Sequence, residues 1–122
     1  MSRIPENCRV LVVEDESAVL MLVEDMLSDL GVCEVVSAMG LAEALPMAET
    51  LELTFAVLDV NLGEDRSFPI AAALQARCVP FFFATGYGSS GLEGDFAGST
   101  VLKKPFRQAD LAAAIKQTLA AA

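Results

Sequence analysis

The sequence predicts a doubly wound α/β fold with five parallel strands and helices on both faces, and three observations carry that prediction. Short apolar runs rich in Val, Phe and Leu alternate with longer stretches of helical period. The first, third and fourth runs are continuously apolar, as strands covered on both faces are. Four of the runs also end in reactive polar groups. Residues 9–13 lead into Glu14 and Asp15, 54–58 into Asp59, 80–84 into Thr85, and 101–102 into Lys103 and Lys104. Ligands of open α/β sheets bind beyond the carboxyl ends of the strands, so these groups point to one site holding three carboxylates, a hydroxyl and an ammonium.

In chain order, the first strand spans 9–13. The helix after it is marked by Val19, Leu22, Val23, Met26, Leu27 and Leu30, spaced to share one face, with Gly31 as the stop. A second strand over 33–38 is mixed in polarity and fits a sheet edge. Residues 40–50 form the next helix, with Leu41, Ala44, Leu45 and Ala48 on one face; Pro46 within it removes a backbone donor and predicts a kink or restart. The third strand is 54–58. Pro69 suits the first turn of a helix that runs through Ile70 and Leu74 to Arg77. The fourth strand covers 80–84 and the fifth 99–102. A last helix over 107–121 packs Leu111, Ile115 and Leu119.

The stretch from Gly86 to Gly98 stands apart. Glycines at 86, 88, 91, 94 and 98, with Ser89 and Ser90, give poor helix propensity where alternation would place a fourth helix. A short, frayed or mobile helix is expected, serving as a partner-binding surface or forming no more than a loose loop.

At 122 residues the chain has room for one domain, 1–122, with its own core. It holds no apolar stretch of membrane-spanning length, and MSRIPENCR lacks the apolar centre of a signal peptide, so a soluble cytoplasmic protein with no membrane partner is expected. The formal charge of −9 argues against nucleic acid. With no histidine, a histidine-based triad, metal site or phosphoacceptor is excluded. Cys8, Cys33 and Cys78 lack metal-type spacing and are expected as reduced thiols in or near the core.

Three carboxylates gathered at neutral pH repel, and need a cation or a raised pKa. Mg²⁺ fits: it is a hard ion that prefers oxygen and uses one or two carboxylates together with phosphate oxygens. An aspartate can also attack phosphorus to give an acyl phosphate, and Asp59 is best placed to do so. Mg²⁺, the lysine ammonium and the Thr85 hydroxyl would then face the phosphoryl oxygens. Taken singly, each residue has a plainer reading. Glu14 and Asp15 would complement a helix dipole, Asp59 would form a turn before Asn61 and Gly63, Thr85 would cap, and the lysines would be solvated.

In combination, the acidic pair in VVEDE (Glu14, Asp15), Asp59 in AVLDVNLG, Thr85 in FATG and Lys104 in KPF resemble the receiver domain of bacterial two-component response regulators, across essentially the whole chain. The resemblance implies a CheY-like, flavodoxin-like sheet in the order 2-1-3-4-5, with Asp59 as phosphoacceptor. It also implies Mg²⁺ held by Asp15, Asp59 and the Asn61 backbone carbonyl, with Glu14 acting through water. Lys104, rather than Lys103, would pair with the phosphoryl group, and the Lys104 to Pro105 peptide would be cis. The phosphodonor would be a sensor histidine kinase or a histidine phosphotransfer protein. The domain would not be an enzyme in the usual sense, though it would promote its own phosphorylation and dephosphorylation.

More narrowly, residues 80–87, PFFFATGY, resemble the PFxFATGY motif of an atypical receiver subgroup that has a poorly formed fourth helix and works with kinases of the HWE or HisKA2 type. Val101 stands where ordinary receivers carry Tyr or Phe, and Tyr87 is the candidate to take over that aromatic's role. Because no residues follow Ala122, no output domain is expected, and the signal would leave by protein contact or the domain would act as a phosphate sink. Three other readings compete. A pseudo-receiver would interact without phosphorylation. A small Mg²⁺-dependent phosphatase should have an aspartate where Asn61 stands. An FMN carrier should not have Glu14, Asp15 and Glu16 in its phosphate loop.

Overall fold

A computed structural model describes residues 8–86 and 100–121. Its central sheet contains β1 (Arg9–Val13), β2 (Glu34–Ala38), β3 (Phe55–Asp59), β6 (Phe81–Thr85) and β7 (Val101–Lys103). All neighbours are parallel and the order is β2-β1-β3-β6-β7, which is 2-1-3-4-5 counted over the strands of this sheet. Between β3 and β6 lie two short strands, β4 (Asn61–Leu62) and β5 (Asp65–Arg66), which pair antiparallel as a separate hairpin. The helices are α1 (Ser17–Asp29), α2 (Leu41–Thr50), α3 (Phe68–Ala76) and α4 (Gln108–Ala121).

Period-2 alternation in the buried strands divides the core into two layers. Val10, Val12, Phe55, Val57 and Phe82 face α1 and α4, where they meet Leu20, Val23, Leu27, Leu111 and Ile115. Leu11, Val13, Ala56, Leu58 and Phe83 face α2 and α3, against Ala44, Ala48, Ile70, Ala71 and Leu74. A sheet covered on both faces has no polar side, which is why β3 is buried at every residue. The edge strand β2 is half-exposed along most of its length.

Two helices end alike. After α1, Gly31 at φ +97° lets Val32 donate to the Leu27 carbonyl at 3.0 Å; after α3, Cys78 at φ +60° lets Val79 donate to the Leu74 carbonyl at 2.9 Å. α2 runs through Pro46 as one helix rather than restarting.

Four expectations need correction or limits. The third and fourth strands each extend one residue further, so Asp59 and Thr85 belong to their strands rather than following them. The β4–β5 hairpin was not expected, because runs of two residues leave no periodicity to read. Cys33 and Cys78 are exposed, and only Cys8 of the three thiols lies in the core; Cys33 directly precedes an edge strand, and Cys78 sits in the exposed turn after α3. The expectations for the fourth helix and for Tyr87 fall outside the described residues.

Candidate functional site

The site forms where the strand order turns back, at the carboxyl ends of β1, β3 and β6. Each of these strands is pinned in register by its neighbours, so the last residues line up: Val13 with Leu58, Asp59 with Ala84, and Thr85 with Lys103. Glu14 follows β1 and donates its backbone N–H to the Ala38 carbonyl at 3.1 Å, which holds the first turn after the strand in place. Side chains at these ends project into a cleft of about 500 Å³, lined among others by Asp15, Asp59, Asn61, Thr85, Lys104 and Phe106.

Glu14, Asp15 and Asp59 each contribute one carboxylate oxygen to a cluster whose oxygens all lie within 4.8 Å of one another. Glu14 is 3% and Asp59 8% exposed, whereas Asp15 is open to solvent. Lys104 Nζ donates to Glu14 Oε1 and, at 3.0 Å, to Asp59 Oδ2. Lys103 belongs to β7 and is exposed, whereas Lys104 leaves the strand, donates its backbone N–H to the Thr85 carbonyl at 2.9 Å and turns into the cleft. The Lys104–Pro105 peptide is cis. Thr85 is buried at the end of β6 on the cleft wall.

Burial raises the Glu14 carboxyl to about 7; the Lys104 hydrogen bond opposes that rise and the Asp59 charge adds to it. Burial pulls the Lys104 ammonium down, but its bonds to Glu14 and Asp59 outweigh this and the net direction is up. One ammonium thus serves two buried carboxylates. With all three carboxylates ionised, one ammonium leaves two negative charges, which one divalent cation would cancel. The donors are all oxygens, and neither cysteine nor histidine is among them, so the set fits a hard ion such as Mg²⁺.

Sequence reasoning missed the part played by the hairpin. Gly63, at φ +66° in the β4–β5 turn, donates its N–H to Asp15 Oδ2 at 2.9 Å, so the loop after β3 holds the exposed carboxylate against the cleft. The signal available was the Asn61–Gly63–Asp65 spacing, a turn pattern directly after Asp59. Asn61 lines the cleft beside it and donates a long backbone bond to Asp59 Oδ1 at 3.4 Å. Val19, Leu22 and Val23 of α1 also line the cleft.

A doubly wound sheet carrying an acidic cluster and a lysine at its switch point defines a class of phosphate-handling domains, and comparison with known proteins makes it specific. The response regulator receiver domain profile matches residues 10–116, and the chain belongs to that family. It is similar to the transcriptional regulatory protein YvrH of Bacillus subtilis, 30% identical over 118 residues covering 93% of this chain but 50% of that protein, so the chain spans half the length of this relative. Among solved structures, it is similar to SdrG from Sphingomonas melonis Fr1 (TM-score 0.81, 38% identity, 94% of this chain and 98% of that one). SdrG has also been solved in a BeF3-activated conformation (TM-score 0.78, 38% identity, 98% and 99% covered). The receiver domain of the sensor histidine kinase PA1611 from Pseudomonas aeruginosa, 25% identical with a TM-score of 0.77 over 93% of this chain and 98% of that one, was solved with magnesium coordinated in its active-site cleft.

Proposed function

We propose that this domain accepts a phosphoryl group on Asp59 from a phosphohistidine, on a sensor histidine kinase or a phosphotransfer protein, in a Mg²⁺-dependent reaction. One observation carries this reading: the Asp59 carboxylate lies between a lysine ammonium at 3.0 Å and two further carboxylates within 4.8 Å. A carboxylate oxygen of Asp59 attacks phosphorus, the bond from phosphorus to the donor's imidazole nitrogen breaks, and an aspartyl phosphate remains. Lys104 is positioned to follow the charge from the carboxylate to a phosphoryl oxygen, and the Thr85 hydroxyl lies on the wall where it can donate to another.

Asp15, Asp59 and the Asn61 carbonyl would hold Mg²⁺, with Glu14 acting through water. When bound, the ion supplies charge neutralisation at the transferring group. The magnesium in the PA1611 receiver domain and the BeF3-activated state of SdrG support the same assignment here. The PFFFATGY stretch supports the atypical subgroup, and with it a kinase of the HWE or HisKA2 type. The phosphoryl group adds charge and acceptor oxygens beside Thr85, and through that wall the domain signals by protein contact.

Incubation with acetyl phosphate and Mg²⁺, followed by intact mass measurement, tests the reading. A gain of about 80 Da that disappears with a chelator and in Asp59→Asn is expected. An unchanged mass would favour a receiver fold that interacts without phosphorylation.

A further inference from the structure

The end of the sheet opposite the acidic cleft holds a pair of thiols. β1 and β2 run parallel with Arg9 opposite Glu34, and the Glu34 N–H donates to the Cys8 carbonyl at 3.1 Å, so the pairing reaches the residues just before both strands. Cys8 and Cys33 occupy those equivalent positions. The ion pair from Arg9 Nε to Glu34 Oε1, at 3.1 Å, shows that side chains at matched positions stand on the same face. Alternation places the next pair on the other face. Cys8 packs there, in the core layer of Val10 and Val12, and is fully buried, while Cys33 is exposed.

We propose that Cys8 and Cys33 form a reversible disulfide, driven by peroxide, that ties the edge strand β2 to β1. Neighbouring strands lie about 4.8 Å apart, inside the range of roughly 4.4–6.8 Å between Cα atoms that a disulfide spans. Both residues precede the regular ladder, and among the described residues β2 pairs with β1 alone, so bringing the two thiols together leaves the rest of the sheet's pairing in place. A cavity of about 490 Å³ lined by Cys8, Cys33, Arg9, Glu34, Glu52 and Thr54 gives an oxidant access to the pair. Burial raises the Cys8 thiol's pKa, Thr54 lowers it by a hydrogen bond, and the charge of Cys33 raises it further.

The chemistry divides between them. The exposed Cys33 thiolate attacks a peroxide oxygen, giving a sulfenic acid and releasing hydroxide. The Cys8 thiol then attacks that sulfur, the S–O bond breaks, and the oxygen leaves as water with the thiol's proton. Peroxide takes up the two electrons. Cys78 lies beyond β3, in the turn after α3, and takes no part.

The test treats the purified protein with hydrogen peroxide, then alkylates under denaturing conditions and measures intact mass. Before alkylation the mass should fall by about 2 Da, the alkylatable thiols should drop from three to Cys78 alone, and dithiothreitol should restore all three. Cys78→Ser should keep the loss and Cys33→Ser should abolish it. Three alkylatable thiols after treatment, oxygen added at Cys33 without loss of Cys8, or a crosslink between two chains would overturn the proposal.

Discussion

Glu14 is the residue whose protonation matters most to the site. Its folded pKa, about 7, lies above its ordinary value of 4.5, so the folded state holds the proton more tightly than the unfolded chain does. The stability this confers is complete below pH 4.5 and drains away as pH climbs to about 7, on the order of 3 kcal/mol for the metal-free protein. Urea titrations at pH 5 and pH 8 in chelator should show that loss, and Glu14→Gln, which cannot ionise, should be flatter between the two. Equal slopes for both proteins would mean that Glu14 is not a buried acid. Glu14, Asp15, Asp59 and Thr85 could be placed from the sequence because each follows an apolar run on the same side of the sheet, whereas the run before Lys103 and Lys104 left both lysines open and only the resemblance of the KPF stretch singled out Lys104. The competition of Glu14 and Asp59 for one ammonium could not, since it depends on which oxygens the fold brings within reach.

Among the elements, two local departures from ideal geometry invite tests. Pro46 leaves the Ala42 carbonyl in α2 without its intrahelical donor. Restoring the N–H in Pro46→Ala should raise unfolding stability by about 2 kcal/mol, the interior proline penalty less the chain entropy that proline removes. Cys78 occupies the left-handed position that glycine fills after α1. Cys78→Gly should therefore gain about 1 kcal/mol by relieving the Cβ contact, read as a higher urea midpoint with unchanged slope. A lower midpoint in either variant would show that the side chain stabilises its turn in another way. α1 was legible because its apolar stripe repeats over three turns. The β4–β5 hairpin was not, since two-residue strands carry no period; Leu62 anchors β4 in the core, and the turn is held by the Gly63 N–H on Asp15.

Across the whole molecule, the parallel sheet follows from strands apolar on both faces with helices between them and was readable in the sequence, whereas its strand order rested on the family resemblance. The exact ends of β3 and β6 were not, because Asp59 and Thr85 are polar residues kept in their ladders by neighbouring strands. That ladder is what makes a site of residues as far apart in sequence as 14 and 104. It also makes metal binding a global property: an ion that binds only the assembled cluster should stabilise the fold by about 2.7 kcal/mol at 100 times its dissociation constant. Thermal melts with rising Mg²⁺ should shift upward in the native protein and much less in Asp15→Asn. Equal shifts in both would place the ion elsewhere.

If this pocket makes the residue 59 carboxylate a phosphorus nucleophile, the acyl phosphate forms there and can be located chemically. After incubation with a phosphodonor and Mg²⁺, borohydride should reduce the acyl phosphate to an alcohol, leaving homoserine that peptide mass spectrometry places at position 59 and nowhere else. Reduction products at position 14 or 15, or none at all, would contradict it.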